Sequence, residues 1–348
     1  MQIDFHHAVT YVTARIAGFG HDQANIIAYA AQYVDDATSS GVVTFDNRAM
    51  YFRISSAHKM LDPDNLSDPE NHLTWLPFHF LPGNDGLSAD KEPAGDFIQK
   101  IICRPDSPAA REMVDVAIGE KDKPSALHRL GITMHVYADT FAHQGFAGVL
   151  HDVNDVVDAN DIGNSGVFGH NPFSFLSAVI EKNLPAIGHA RAGTFPDMPF
   201  LNWSYKNGMG ATITRNNTDI FCDAANALCK AMQRYLNTPQ FGINATDLPV
   251  IRRLFAETKE EDGEKRHQVW LAAIAAGQFS FGAETISYAD DGRDSWKADA
   301  LGTSTDMPVH SYPDNFLQSN WKLFHDALQR HRVTMLHDIL PKYGIRAG

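Results

Sequence analysis

Segment 124–150 carries the longest helical periodicity in the chain, and three ionisable residues on it constrain the fold more than any other feature. His135, Asp139 and His143 recur at i, i+4 and i+8, within about 80° of one helix face. His128 joins that face, while Leu127, Leu130, Met134, Ala138, Phe141 and Ala142 fill the other sectors, so the helix reads as central and buried. Ionisable groups on such a helix are costly unless they are paired or coordinate metal. A rise of roughly 1.5 Å per residue separates His135 and His143 by about 12 Å along the axis. Metal–nitrogen bonds near ~2 Å would strain to bring both to one ion. Asp139 lies between them with two oxygens to share, so the spacing predicts a multinuclear site, with zinc the expected metal. His128 is expected to be a supporting or hydrogen-bonded core residue.

One helix cannot complete such a site, and the chain is rich in further candidates, with 17 histidines in 348 residues. Between 22 and 38 the residues Ala24, Ile27, Ala28, Ala31 and Asp35 share one helical stripe, which favours Asp35 over Asp36 as an inward carboxylate. His6 and His7 open the first helix, and periodicity does not choose between them. His79 lies in Leu76-Pro77-Phe78-His79-Phe80-Leu81-Pro82-Gly83, inside a Pro-, Asp-, Asn- and Gly-rich stretch at 60–97 that reads as a long ordered loop. The stretch Gly188–Asp197 offers His189 and Asp197. By contrast, His58, His72, His170, His267, His325, His331 and His337 fall on amphipathic helices or polar loops and read as surface or capping residues. Of these, His325 and His331 could face a common cleft.

Helical patterns at 5–18, 22–38 (with Asp22 as N-cap), 107–119, 124–150, 172–182, 216–236, 247–259, 264–277 and 315–338 predict a mainly α fold with long ordered loops, in one domain spanning 1–348. An acidic loop is expected at 151–170. There Asp152, Asp155, Asp158 and Asp161 lack the Gly and terminal Glu of a calcium loop and read as a solvated turn. The formal charge of −13 disfavours a tightly held nucleic acid. Cys103, Cys222 and Cys229 form no disulfide framework, and the latter two are expected to face a helix core. The first residues have neither the basic start nor the apolar core of a secretory signal, and no apolar run reaches 18 residues. The expectation is a protein without a transmembrane segment, cytoplasmic or exported without a classical signal peptide.

The run Leu130–Asp139 followed by His143 resembles the zinc-dependent phospholipase C and P1-nuclease superfamily, which places an H-x3-D motif and a later histidine on a central helix. The shorter gap from Asp139 to His143 marks a divergent branch. Asp4-Phe5-His6, Ala17-Gly18-Phe19, Gln32-Tyr33-Val34-Asp35-Asp36 and Pro77–Gly83 look like the pseudomonad and Legionella-type metallophospholipases C, over most of the first 200 residues.

The resemblance implies two or three zinc ions in a helical domain. His6 would ligate the zinc bridged by Asp139; Asp35, His79, His135 and Asp139 would surround the next; His143, His189 and Asp197 would hold the third through an H-x7-D spacing, where classical members use H-x3-E. Classical members also bring a processed N-terminal residue to the first ion. This chain starts at Met1, so no terminal ligand is assigned. Asp35 and Asp139 are the implied catalytic carboxylates.

The implied reaction is hydrolysis of a phosphatidylcholine-like phospholipid at a membrane surface to diacylglycerol and phosphocholine. Phe195, Phe200, Trp203 and Tyr205 would contact acyl chains or choline, or pack in the core. A single-strand nuclease or other phosphodiesterase of the same superfamily is the alternative enzyme. A non-catalytic, metal-stabilised interaction protein is the alternative of a different kind, and closed four-ligand sites would mark it.

Overall fold

A computed structural model of the chain describes residues 1–57, 68–163 and 187–346, with side chains in the second stretch from residue 73 onward. A π-helical turn, Asp4–Val9, runs directly into α1 (Thr10–Ala17). Helix α2 (His21–Asp36) begins after Gly20, so Asp22 lies in its first turn and is not the cap. Next come the antiparallel hairpin β1 (Gly41–Thr44) and β2 (Met50–Arg53), then α3 (Asp68–Phe78), the short α4 (Ile98–Ile101) and α5 (Pro108–Gly119). The Ser107 side chain caps α5 by accepting from the Ala110 N–H. Helix α6 (Ala126–Ala142) is followed by β3 (Val157–Asp161), β4 (Asn202–Lys206) and β5 (Thr212–Asn216), which form one antiparallel sheet in that order. Helices α7 (Asn217–Tyr235), α8 (Asp247–Glu257), α9 (Gly263–Ala275), α10 (Trp296–Leu301) and α11 (Asn320–Val333) complete the chain, with a second π-helical turn at Thr334–Ile339.

The fold is therefore mainly α with small sheets, and among the described residues no helix is long and apolar enough to cross a membrane. The helix expected at 172–182 lies outside the described residues, as do His58 and His170 and the side chain of His72. Part of the stretch expected as a loop at 60–97 is α3. Pro69 sits in its first turn, where a missing N–H breaks no helical bond, and Pro77 sits in its last, so the composition concealed a helix.

Helix α6 occupies the centre, packed by α2, α5, α7 and α11. Leu130, Ile132, Met134 and Val136 point in different directions and are all fully buried. At roughly 1.5–3 kcal/mol for each such side chain, this burial holds the helix in the core despite its polar trio. Close approach of α2 depends on Gly131, because a Cβ there would lie 2.4 Å from the Ile27 carbonyl oxygen and 2.7 Å from Ala30 Cβ. Gly131→Ala must push the two helices apart, and the expected result is a loss of about 1–3 kcal/mol in urea unfolding. Wild-type stability in that variant would show that the contact is not tight.

Helix α6 stops at Ala142 and does not run to 150. Arg215 of β5 donates to the carbonyls of Ala142 (2.6 Å) and Gln144 (2.9 Å), satisfying acceptors that a longer helix would have used. The acidic stretch is partly strand β3, and its carboxylates pair with cations, Asp155 with Arg191 and Asp158 with Lys206. Phe195, Phe200, Trp203 and Tyr205 are all buried in a small core with Phe80 and Phe146, so they pack the sheet against the body. Cys222 and Cys229 are buried, unpaired thiols on α7.

Candidate metal centre

Eight histidine and aspartate side chains from five separate segments converge at the middle and C-terminal end of α6. His6, Asp35 and His135 bring ligand atoms within 4.8 Å of one another; so do His79, His135 and Asp139, and so do His143, His189 and Asp197. Asp139 joins the groups. Its Oδ2 lies 3.3 Å from His135 Nε2 and 3.5 Å from His79 Nδ1, while its Oδ1 lies 3.3 Å from His6 Nε2. Asp35 Oδ1 stands 3.7 Å from His79 Nδ1 and 3.8 Å from His135 Nε2. At the far end, Asp197 approaches His143 Nε2 to 3.6 Å and His189 Nε2 to 3.5 Å.

Both open choices have a geometric reason. The opening turn of the chain is a π-helix, in which the Thr10 N–H reaches the Phe5 carbonyl, so the 3.6-residue rule does not apply there. His6 turns towards Asp139 and stacks on His135 at 3.8 Å, while His7 points away to bond His267 at 2.9 Å. Asp36 accepts from Gln32 (3.0 Å) and Tyr288 (2.5 Å), and its neighbour Asp35 faces the imidazoles.

Each of four imidazoles has one ring nitrogen at a backbone carbonyl: His135 Nδ1 at Ala31 (2.8 Å), His79 Nε2 at Ser56 (2.8 Å), His143 Nδ1 at His79 (2.8 Å) and His189 Nδ1 at Gly193 (2.9 Å). A carbonyl only accepts, so that nitrogen must carry the hydrogen, and the other turns its lone pair into the cluster. This is the arrangement that orients histidine ligands of metals. Both ring nitrogens of His6 and Asp197 Oδ1 are buried with no well-formed hydrogen bond, although His6 Nε2 faces Asp139 and Asp197 Oδ1 faces the Met1 amine. Burial, with the repulsion of neighbouring groups, lowers His6 to about 3, and burial lowers His135 and His143 to about 4, so all three are neutral at pH 7. Although burial opposes ionisation of Asp139 and Asp197, the Met1 amino group and the imidazoles facing them hold both carboxyls well below the usual carboxylate range. Neutral imidazole and ionised carboxylate are the forms that bind metal. Asp35 differs: burial and the charges of Asp139 and Asp36 push its carboxyl well above the usual range, and at 31% exposure it is the most open of the eight.

One group at the centre was not assigned from the sequence. The Met1 amino group donates to Asp139 Oδ1 at 2.7 Å and lies 3.2 Å from Asp197 Oδ1 and 3.3 Å from His143 Nε2. Burial opposes its charge, yet Asp139 and Asp197 outweigh that and raise its pKa to about 11. A positive charge therefore already sits where the three groups meet. The donor set and the buried ring nitrogens turned into the cluster fit a bound metal ion.

Several other histidines are not where the amphipathic patterns put them. His267, His325 and His331 are buried, against the expectation of surface positions; His267 bonds His7, and His331 Nε2 donates to the Pro77 carbonyl at 2.9 Å. His128 meets Asn320 at 3.0 Å in the core, away from the ligands, and His337 is exposed.

The fold and site thus define a mainly helical protein with a buried histidine and aspartate centre able to hold metal. Residues 1–339 match the model of DUF6765, a family of unknown function, and the chain belongs to that family. Comparison with curated proteins finds no match. Comparison with solved structures finds none either.

Proposed function

We propose that this protein is a zinc-dependent phosphodiester hydrolase of the phospholipase C/P1-nuclease type, with a phosphatidylcholine-like phospholipid as substrate. The observation that carries the reading is the sharing of Asp139 between His6 on one oxygen and His79 and His135 on the other. A carboxylate used in this way suits ions set side by side, the arrangement that clamps both attacking and leaving oxygens of a phosphodiester. Zinc bound here would supply positive charge to the phosphate oxygens and a water acidic enough to ionise near neutral pH.

The protein's own groups do the rest. His135, His79, His143 and His189 are held in fixed tautomers by backbone carbonyls, so the ligand geometry needs little rearrangement. Asp35 stands on the open side and is the group placed to orient the attacking water and take its proton. That open side favours a catalytic centre over closed structural sites. The charge of −13 favours a lipid over a polynucleotide. The lipid would be met at a membrane surface.

The test is elemental analysis of protein purified without chelator, together with hydrolysis of phosphatidylcholine vesicles and of single-stranded DNA. Two or three zinc ions per chain and release of phosphocholine are expected. Cleavage of DNA alone would replace the lipase reading by the nuclease. A chain free of metal would end both.

A further inference from the structure

Arg266, in the first turn of α9, is fully buried and ties four pieces of chain together. Its Nε donates to Asp4 Oδ2 at 2.6 Å, and its Nη2 donates to Gln2 Oε1 at 2.6 Å, with Asp4 Oδ1 at 3.4 Å. Nη2 also reaches the Asp197 carbonyl at 3.3 Å, and Nη1 donates to the carbonyls of Glu260 (2.8 Å) and Glu261 (2.9 Å). All three nitrogens of the guanidinium are engaged. Gly263 makes the approach close, since a Cβ there would lie 2.5 Å from Gln2 Oε1.

A buried ion pair is weak grounds for stability, because desolvating both charges offsets much of their attraction. What this one does achieve is registry. Most of the candidate ligands sit on or beside long packed helices, whereas His6 lies in the short π-helical turn Asp4–Val9 and Asp197 ends the single 3-10 turn Phe195–Asp197 before β4. Terminal segments are poorly ordered unless tied down. Gln2 and Asp4 precede His6 by four and two residues, and the Asp197 carbonyl belongs to a ligand residue itself.

We propose that Arg266 is a positioning residue of the metal centre, holding the segment with His6 and the turn with Asp197 in one register against α6. The inference rests on the metal-centre reading. A lysine would keep the charge but not the planar fork that reaches these acceptors in different directions.

The test compares wild type, Arg266→Lys and Gln2→Ala as full chains. Zinc affinity is read by titration against a competing chelator, and hydrogen exchange of the metal-free proteins is followed at 1–9, 190–200 and 126–142. Arg266→Lys is expected to weaken zinc binding about 10–100-fold, the usual cost of losing a group that orients ligands. Exchange should quicken at 1–9 and 190–200 together while 126–142 stays protected. Gln2→Ala, which removes one contact at a half-buried side chain, should repeat the pattern a few-fold more weakly. Wild-type zinc affinity with unchanged exchange in Arg266→Lys overturns the proposal. If that variant loses protection throughout, Gln2→Ala decides: joint loosening of the two segments upholds the clamp, and unchanged exchange sinks it. A wild type without zinc fails the metal reading by itself, and the exchange arm still shows whether Arg266 couples the segments.

Discussion

On the proposed hydrolase reading, Asp139→Ala is expected to leave a folded chain that binds one zinc ion in place of two or three, with phosphodiester hydrolysis lowered by on the order of a thousandfold or more. Asp139 meets His6 through one carboxylate oxygen and His79 and His135 through the other. Ions held by His6, Asp35, His79 and His135 would lose a shared anion, and a loss of several kcal/mol of charge stabilisation in the transition state would correspond to about that factor in rate. His143, His189 and Asp197 keep a complete group of their own. One ion is therefore expected to stay, and metal counting with circular dichroism of the variant separates this outcome from collapse. A variant that keeps every ion and full activity would show that Asp139 bridges nothing. The Met1 amine offers a second reading of the same experiment, because Asp139 and Asp197 together maintain its charge in the metal-free protein.

Acid should unfold this protein in a narrow range. Five histidines outside the ligand set, His7, His128, His267, His325 and His331, are buried neutral. Burial lowers His128 and His267 to about 4 and, aided by Arg53, His325 to about 3. Burial again dominates for His7 and His331, which lie well below the ordinary value, and the His7–His267 hydrogen bond places two neutral rings together. The native pKa values lie under the unfolded value near ~6.5, so the unfolded chain binds protons that the native one refuses. Stability from these groups is complete above pH ~6.5 and falls as pH drops towards 4. Each contributes a slope of roughly 1 kcal/mol per pH unit. Five together lose about 5 kcal/mol between pH 6 and 5, which rivals the total stability of an ordinary domain. Urea midpoints measured from pH 7.5 to 4.5 should fall steeply below 6.5, with several protons taken up on unfolding. A flat profile down to pH 5 would mean that these rings are hydrated or charged in the native state.

The centre was legible in the sequence because it breaks a local rule. Carboxylates and imidazoles placed on apolar helix faces at 135, 139, 143 and 35 conflict with burial unless something pairs them, and that conflict is visible within a dozen residues. What could not be read locally depends on distance or on non-standard turns. Arg266 lies 262 residues from Asp4, and no spacing rule connects them. The choice of His6 over His7 depended on a π-helical turn that the 3.6-residue period cannot represent. Strand β4 did leave a signal, with Trp203 and Tyr205 inward and Ser204 and Lys206 towards solvent. Its aromatics allow either ligand contact or core packing by composition, and the alternation is what decides for the core. His267, His325 and His331 show the converse, since a lone histidine on an amphipathic helix lies near the border between core and surface.

The tie from Arg266 back to Gln2 and Asp4 also sets a schedule for biosynthesis. At about 5–20 residues per second, on the order of 13–50 s separates the emergence of Asp4 from that of its partner. Through that interval Phe5, Ala8, Val9, Tyr11 and Val12, all fully buried in the finished molecule, have no completed core to enter. This apolar stretch is made long before the partner that fixes it, so during synthesis it stays uncovered until α9 has been made.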